Sequence, residues 1–154
     1  MTEPNVLGGD QYGLKFLFES GDTRIVNLCR PYDSGASAFP QTALSLYEMN
    51  SGLSGVQYAV PVGKVFYMLE FMCVTEETDD ISLAIQRNST VNNIALGDNL
   101  FQIYWEGSTS ARFKYQAIPG GLKFDAADYV TPYDLDEADN FNWSFYCWGV
   151  ECDA

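Results

Sequence analysis

Histidine is absent from this sequence, and its absence removes most familiar routes to catalysis. Without an imidazole there is no Ser–His or Cys–His pair to activate a nucleophile, and no Cys/His zinc constellation. The four cysteines, Cys29, Cys73, Cys147 and Cys152, include no C-x-x-C spacing. The chain also lacks a G-x-S-x-G elbow, a phosphate-binding G-x-x-x-x-G-K-[ST] loop and a dinucleotide G-x-G-x-x-G fingerprint. Paired carboxylates of the glycosidase kind remain a formal route, yet Glu70 and Glu106 read as ordinary outward-facing strand residues. The sequence therefore predicts a protein that is not an enzyme, with no catalytic residue, no cofactor and no metal site.

Bases are scarce as well: 8 Lys and Arg against 21 Asp and Glu give a net charge of −13. Such a surface repels nucleic acid and anionic lipid and lacks the basic footprint that phosphate binding needs; its plainest role is to keep the protein soluble. Long apolar runs are missing, the longest being of the order of Val65–Leu69, too short to span a bilayer. Residues 1–5 show neither a basic n-region nor an apolar h-region, so no secretory signal is expected. Four reduced thiols follow from that expectation, with a Cys147–Cys152 bridge across a turn as the lesser alternative. Asn88-Ser89-Thr90 and Asn142-Trp143-Ser144 match the glycosylation pattern, a frequent chance match.

Strand signals fill the space. Val60-Pro61-Val62-Gly63-Lys64 is a corner: Pro61 fixes its own φ and offers no N–H, and Gly63 admits a positive φ. It launches Lys64–Val74, the longest expected strand, apolar on both faces. Leu14–Phe18 and Ile25–Cys29 flank a Gly21-Asp22 turn and read as a hairpin. Val56–Val60 leads into the corner. Ile81, Leu83 and Ile85 alternate with polar or small residues at the two-residue period of a half-buried strand. Asn99–Trp105, Ala111–Ala117 and Leu122–Phe124 follow, the last two divided by Pro119-Gly120-Gly121. Residues 125–140 read as acidic and irregular around Thr131-Pro132-Tyr133. Phe141–Val150 closes the series, with Phe141, Trp143, Phe145 and Cys147 on one face and Asn142, Ser144, Tyr146 and Trp148 on the other. The helical candidate is Phe39–Met49, where Pro40 suits a first turn and Gly52 lies past the end, with loop or strand left open.

About eight strands at spacings of roughly ten residues predict a single all-β domain, an antiparallel β-sandwich of jelly-roll type with little helix. The division expected is an arm over residues 1–12 and a sandwich over 13–154. Its core should draw on Phe16, Phe18, Ile25, Val65, Tyr67, Leu69, Ile81, Leu83, Ile85, Phe101, Ile103, Phe113, Phe141, Trp143 and Phe145.

Two features hold candidate binding chemistry. Glu76-Glu77-Thr78-Asp79-Asp80 and the Asp134–Asp139 loop concentrate carboxylates of the kind calcium requires. Asp134-x-Asp136 begins like an EF-hand loop and then fails at Ala138; solvated loop charge is the simpler account. Tyr104, Trp105, Phe113, Tyr115, Trp143, Tyr146 and Trp148 are strand aromatics. Because Trp143 and Trp148 fall on opposite faces of one strand, one ring is left for an interface or a ligand, the interface being favoured.

The run Tyr58-Ala59-Val60-Pro61-Val62-Gly63-Lys64-Val65-Phe66-Tyr67, with the ending Phe145-Tyr146-Cys147-Trp148-Gly149-Val150-Glu151, resembles small β-sandwich structural proteins of tailed bacteriophages: capsid decoration (cement) proteins, head fibres and tail accessory modules. The likeness covers about Val56 to Glu151; the first 55 residues and the acidic 125–140 stretch depart from it. Its motifs mark strand corners, so no catalytic residue is carried over. The resemblance implies a virion location, on the capsid surface after synthesis in the host cytoplasm, and trimeric assembly. The expected function is a non-enzymatic decoration protein stabilising the phage head, with the major capsid protein or other virion proteins as partners and neither nucleic acid nor membrane. The alternative is a tail, fibre or head-fibre module binding host carbohydrate, using Trp105 or Trp148 and calcium in the Asp134–Asp139 loop. A homo-oligomer, expected as a trimer, would bury apolar faces of the longest and closing strands. Its contact would be apolar or would set Arg24, Arg30, Lys64, Arg87, Arg112, Lys114 and Lys123 against acids.

Overall fold

A computed structural model of the chain describes residues 23–30, 46–49, 57–75, 80–88, 98–107, 112–134 and 143–154. Eight strands run through them: β1 (Arg24–Arg30), β2 (Tyr47–Glu48), β3 (Lys64–Thr75), β4 (Ile81–Asn88), β5 (Asp98–Trp105), β6 (Arg112–Phe124), β7 (Tyr129–Asp134) and β8 (Trp143–Asp153). No α-helix occurs among these residues. Two antiparallel sheets form, one ordered β2-β1-β8-β3-β6 and the other β5-β4-β7. The closing strand thus lies beside the first and the long β3 lies next to it, the interleaving of a jelly roll, which no run of sequential hairpins produces. The fold is the all-β antiparallel sandwich that the strand spacing predicts.

Register shows how the core is filled. On the inner face of the five-stranded sheet, Leu28, Cys147 and Phe71 stand in one row, and Phe145 and Cys73 in the next. Phe71 stacks on Phe145 with ring centroids 5.4 Å apart and meets Phe101 of the opposite sheet edge-on at 5.9 Å. Leu83, Ile85 and Ile103 are buried in the same cluster. The apparent two-sidedness of β3 has a physical source. A bulge between Met68 and Glu70 shifts the register, so Phe66 and Met68 face inward before it and Phe71 and Cys73 after it.

Several expectations are corrected. Ile25 is 53% exposed and Phe113 60% exposed; both sit at outward positions of the five-stranded sheet. Tyr67 and Leu69 are half-buried on β3, whereas Val65 is buried as expected. Phe16, Phe18 and Phe141 lie outside the described residues, as do the side chains of Ile81 and Trp143. The longest strand is β6, with 13 residues, against 12 for β3. The Pro119-Gly120-Gly121 break lies inside β6: Met68 faces Leu122, Glu70 faces Ala117, and the intervening residues bulge out. Gly120 and Gly121 take φ of 83° and 75°, and Pro119 is tolerated because β6 is an edge strand. The same edge rule admits Pro132 into β7, which gives residues 129–134 of the supposedly irregular stretch a regular strand. Of the expected Val56–Val60 strand, the described residues 57–60 hold one bridge, Ala59 to Tyr129. The helical candidate holds a short strand, since Tyr47 and Glu48 pair with Cys29 and Leu28; its residues 39–45, the residue 1–12 arm and the Leu14–Phe18 half of the hairpin lie outside the described residues.

Candidate functional site

The two phrases that suggest a phage structural protein lie side by side. β3 leaves the Pro61 corner antiparallel to the end of β8, with Lys64 opposite Asp153 and Phe66 opposite Glu151. Gly63 takes φ 77° in the corner, and its carbonyl accepts the Ala154 N–H at 3.0 Å. Gly149 makes the strands' close approach possible: a Cβ there would lie 2.0 Å from the Tyr67 carbonyl oxygen and 2.7 Å from the Phe66 ring.

Beside this junction, the Glu151 carboxylate is buried, 3% exposed. It accepts from Arg24 Nε at 2.8 Å, Arg24 Nη2 at 3.0 Å and the Tyr58 hydroxyl at 2.9 Å. Arg24 also donates to both oxygens of Glu48, at 3.2 and 2.9 Å. Burial pushes the Glu151 pKa up, but the Arg24 and Tyr58 hydrogen bonds outweigh it and the carboxyl lies below its ordinary range. Burial and the adjacent carboxylate raise Tyr58. The cluster ties β1, β2, β8 and the segment before the corner together. Every group in it is engaged, so its work is structural.

The outer face of the same sheet is different. Three of its rows, at the end away from the corner, are Asn27–Trp148–Glu70–Ala117, Cys29–Tyr146–Met72–Tyr115 and Ser144–Val74–Phe113; nearer the corner the face continues through Ile25–Val150–Tyr67–Lys123 and Val65–Cys152, where Val150, Val65 and Cys152 are buried. None of the side chains in the first three rows is buried. Phe113 and Tyr115 are 60% and 52% exposed, and Met72 is 36% exposed. Glu70 is the one formal charge in those three rows. Its carboxylate accepts the Trp148 indole N–H at 2.7 Å and the Tyr115 hydroxyl, a bond that raises the tyrosine's pKa. Tyr146 donates to Asn27 Oδ1 at 2.8 Å, which fixes its ring along the face. A contiguous aromatic surface with a single carboxylate is what a contact site for protein or sugar requires.

The strand-parity reading set Tyr146 and Trp148 on one face and Phe145 and Cys147 on the other, and that division holds. Phe113, Met72 and Glu70 join them only through pairing of β3 with β6 and β8, which periodicity within one strand does not disclose. Tyr104 lies apart on β5, 55% exposed, donating to Asp80, which also accepts the Gly107 N–H. The Trp105 and Trp143 side chains lie outside the described residues, as do Glu76–Asp79 and the acidic loop after Asp134. Among the described residues no cluster of three or more acids or cysteines is placed to hold a metal ion. The four cysteines are free thiols. Cys147 and Cys152 are five residues apart on one strand, about 17 Å by the rise per residue, far beyond the ~7 Å reach of a disulfide.

No family model matches this sequence, and no curated protein does. Among solved structures, the chain is similar to the Eiger TNF of S. frugiperda, at 13% identity and a TM-score of 0.46, over 84% of this chain and 94% of that one.

Proposed function

We propose that this is a non-enzymatic structural protein that assembles into a homo-oligomer, a trimer, through the outer face of its five-stranded sheet, and that it decorates a phage capsid. The observation that carries the assembly reading is the aromatic surface of Phe113, Tyr115, Met72, Tyr146 and Trp148, with one carboxylate, on a chain of net charge −13. Two copies of so acidic a protein approach with least repulsion where acids are absent. Burying exposed rings supplies the driving force, at about 25 cal/mol for each Å² removed from water. The bases are largely spent within the chain: Arg24 on Glu48 and Glu151, Lys64 on Asp153, Arg87 on Asp98, Lys123 on Asp125. That favours an apolar contact over one built on ion pairs. The virion setting is supported by the resemblance of the corner and the closing strand, which the fold brings together.

Light scattering tests the assembly. The mass should exceed the 17.2 kDa of one chain, and the excess should grow with salt, because the Debye length falls from ~30 Å at 0.01 M to ~10 Å at 0.1 M and screens the acids. A single-chain mass at both salts and high concentration would remove the oligomer. For the capsid role, shells lacking the protein should fail at lower temperature; unchanged shells would refute it.

A further inference from the structure

We propose that Lys114 of one copy seats on Glu70 of the next, so that the β6 edge packs against the outer face of the neighbouring five-stranded sheet; this rests on the assembly reading above. Glu70 needs a cation from elsewhere. Its two donors, the Trp148 indole and the Tyr115 hydroxyl, are neutral, so they orient the carboxylate without cancelling its charge. Covering the face would bury that charge, which is costly unless an opposite charge arrives with the covering surface.

Lys114 is a base placed to serve it. Arg24, Lys64, Arg87 and Lys123 are each held by acids of their own chain, whereas no acid among the described residues pairs with Lys114; Arg30 is also engaged, and Lys15 and the Arg112 side chain lie outside the described residues. It cannot serve Glu70 within one copy. Lys114 lies opposite Cys73 and therefore on the inner side of the sheet, while Glu70 lies opposite Ala117 on the outer side. Lys114 is half-buried on the strand that ends the sheet order, where a lysine stem is long enough to carry its ammonium past the edge. The receiving site suits an ammonium: a carboxylate between an indole and a phenol combines ion pairing with cation–π attraction. Ala117, exposed beside Glu70, leaves room for the incoming side chain. An edge-to-face contact is heterologous, and a heterologous contact that closes produces a ring.

The test is a charge exchange read by light scattering on Glu70→Lys, Lys114→Glu and the double variant, with circular dichroism to confirm that each keeps its β spectrum. Glu70→Gln serves as a milder variant that retains an acceptor for Trp148 and Tyr115. Each single change should weaken association about tenfold or more, and the double variant should recover most of it, as coupled charge pairs at interfaces do. Singles that associate like the parent protein, or a double variant as weak as its parents, would overturn the pair while leaving assembly intact. A parent protein that stays monomeric would overturn the assembly reading itself.

Discussion

Glu151 and Glu70 sit on the same pair of strands and meet opposite fates. Glu151 is inside, held by an arginine and a tyrosine of its own chain; Glu70 is outside, held by two neutral donors on an open face. Both carboxylates are hydrogen-bonded, so satisfaction of polar atoms does not distinguish them. Charge compensation does. The first belongs to an interaction complete within one copy, and the second to a surface where, among the described residues, only neutral groups donate to it. The same ladder thus locks the domain on one side and is offered outward on the other.

The sharpest way to break the comparison is to break the ladder that carries both. Gly149→Ala would drive a methyl group into the Tyr67 carbonyl oxygen, where the Cβ position lies only 2.0 Å away. Backbone cannot yield as a flexible side chain does, so β3 and β8 must separate. The expected loss is about 4 kcal/mol or more, read as a fall in the urea midpoint, with both the Glu151 cluster and the outer face disturbed. An unchanged midpoint would refute the close approach.

Arg24→Ala attacks the inner side alone. It strips the cation from a carboxylate whose side chain is 5% exposed, and removes one of the partners of Glu48. Loss of one partner of a fully buried pair costs ~3–5 kcal/mol; because the Arg24 side chain is itself 47% exposed, about 2–3 kcal/mol is expected. Association through the outer face should persist once the protein is folded.

Acid should separate the same two regions more gently. Hydrogen bonds from Arg24 and Tyr58 hold the folded Glu151 carboxyl below its ordinary value despite burial. A depressed folded pKa means stability that is present above the unfolded value, near 4.3, and lost as pH falls through the lower, folded value. Glu151→Gln removes that term. The stability gap between parent and variant should therefore be full at pH 6 and shrink below about pH 4, followed by urea unfolding across that range. A gap independent of pH would mean that folding leaves the Glu151 pKa unchanged, and a gap that widens as pH falls would mean that the carboxyl is held neutral in the fold.

How much of this was legible in the sequence depends on how many strands each feature needs. The sandwich, the corner at Pro61 and the two faces of the closing strand follow from turn residues and a two-residue period, which act locally. The Phe113 and Ile25 placements fail because each strand shows an apolar alternation without saying which side is covered. The break expected at Pro119 and the irregularity expected at Pro132 fail for one reason: proline excludes a central strand, and nothing local reveals that β6 and β7 are edges. The carboxylate comparison lies furthest from reach. Glu151 and Glu70 look alike in the chain, and only the pairing of β1, β3, β6 and β8 gives one an arginine and the other two rings.

The smallest expected effect on folding is also the one that isolates the outer face. Phe113→Ser removes a ring that is 60% exposed in a single copy, opposite Val74 at the margin of the sheet. Such a ring contributes little to the fold of one chain, so the unfolding free energy from urea titration at low protein concentration should move by no more than about 0.5 kcal/mol. Association should respond far more, because a ring buried between copies stabilises the assembly by an amount proportional to the area it loses to water. A drop in mass by light scattering with an unmoved midpoint places Phe113 in the contact. A fall of about 2 kcal/mol or more in the single copy would instead mean that the ring is covered within its own chain, and the outer face would then be an interior surface that needs no partner.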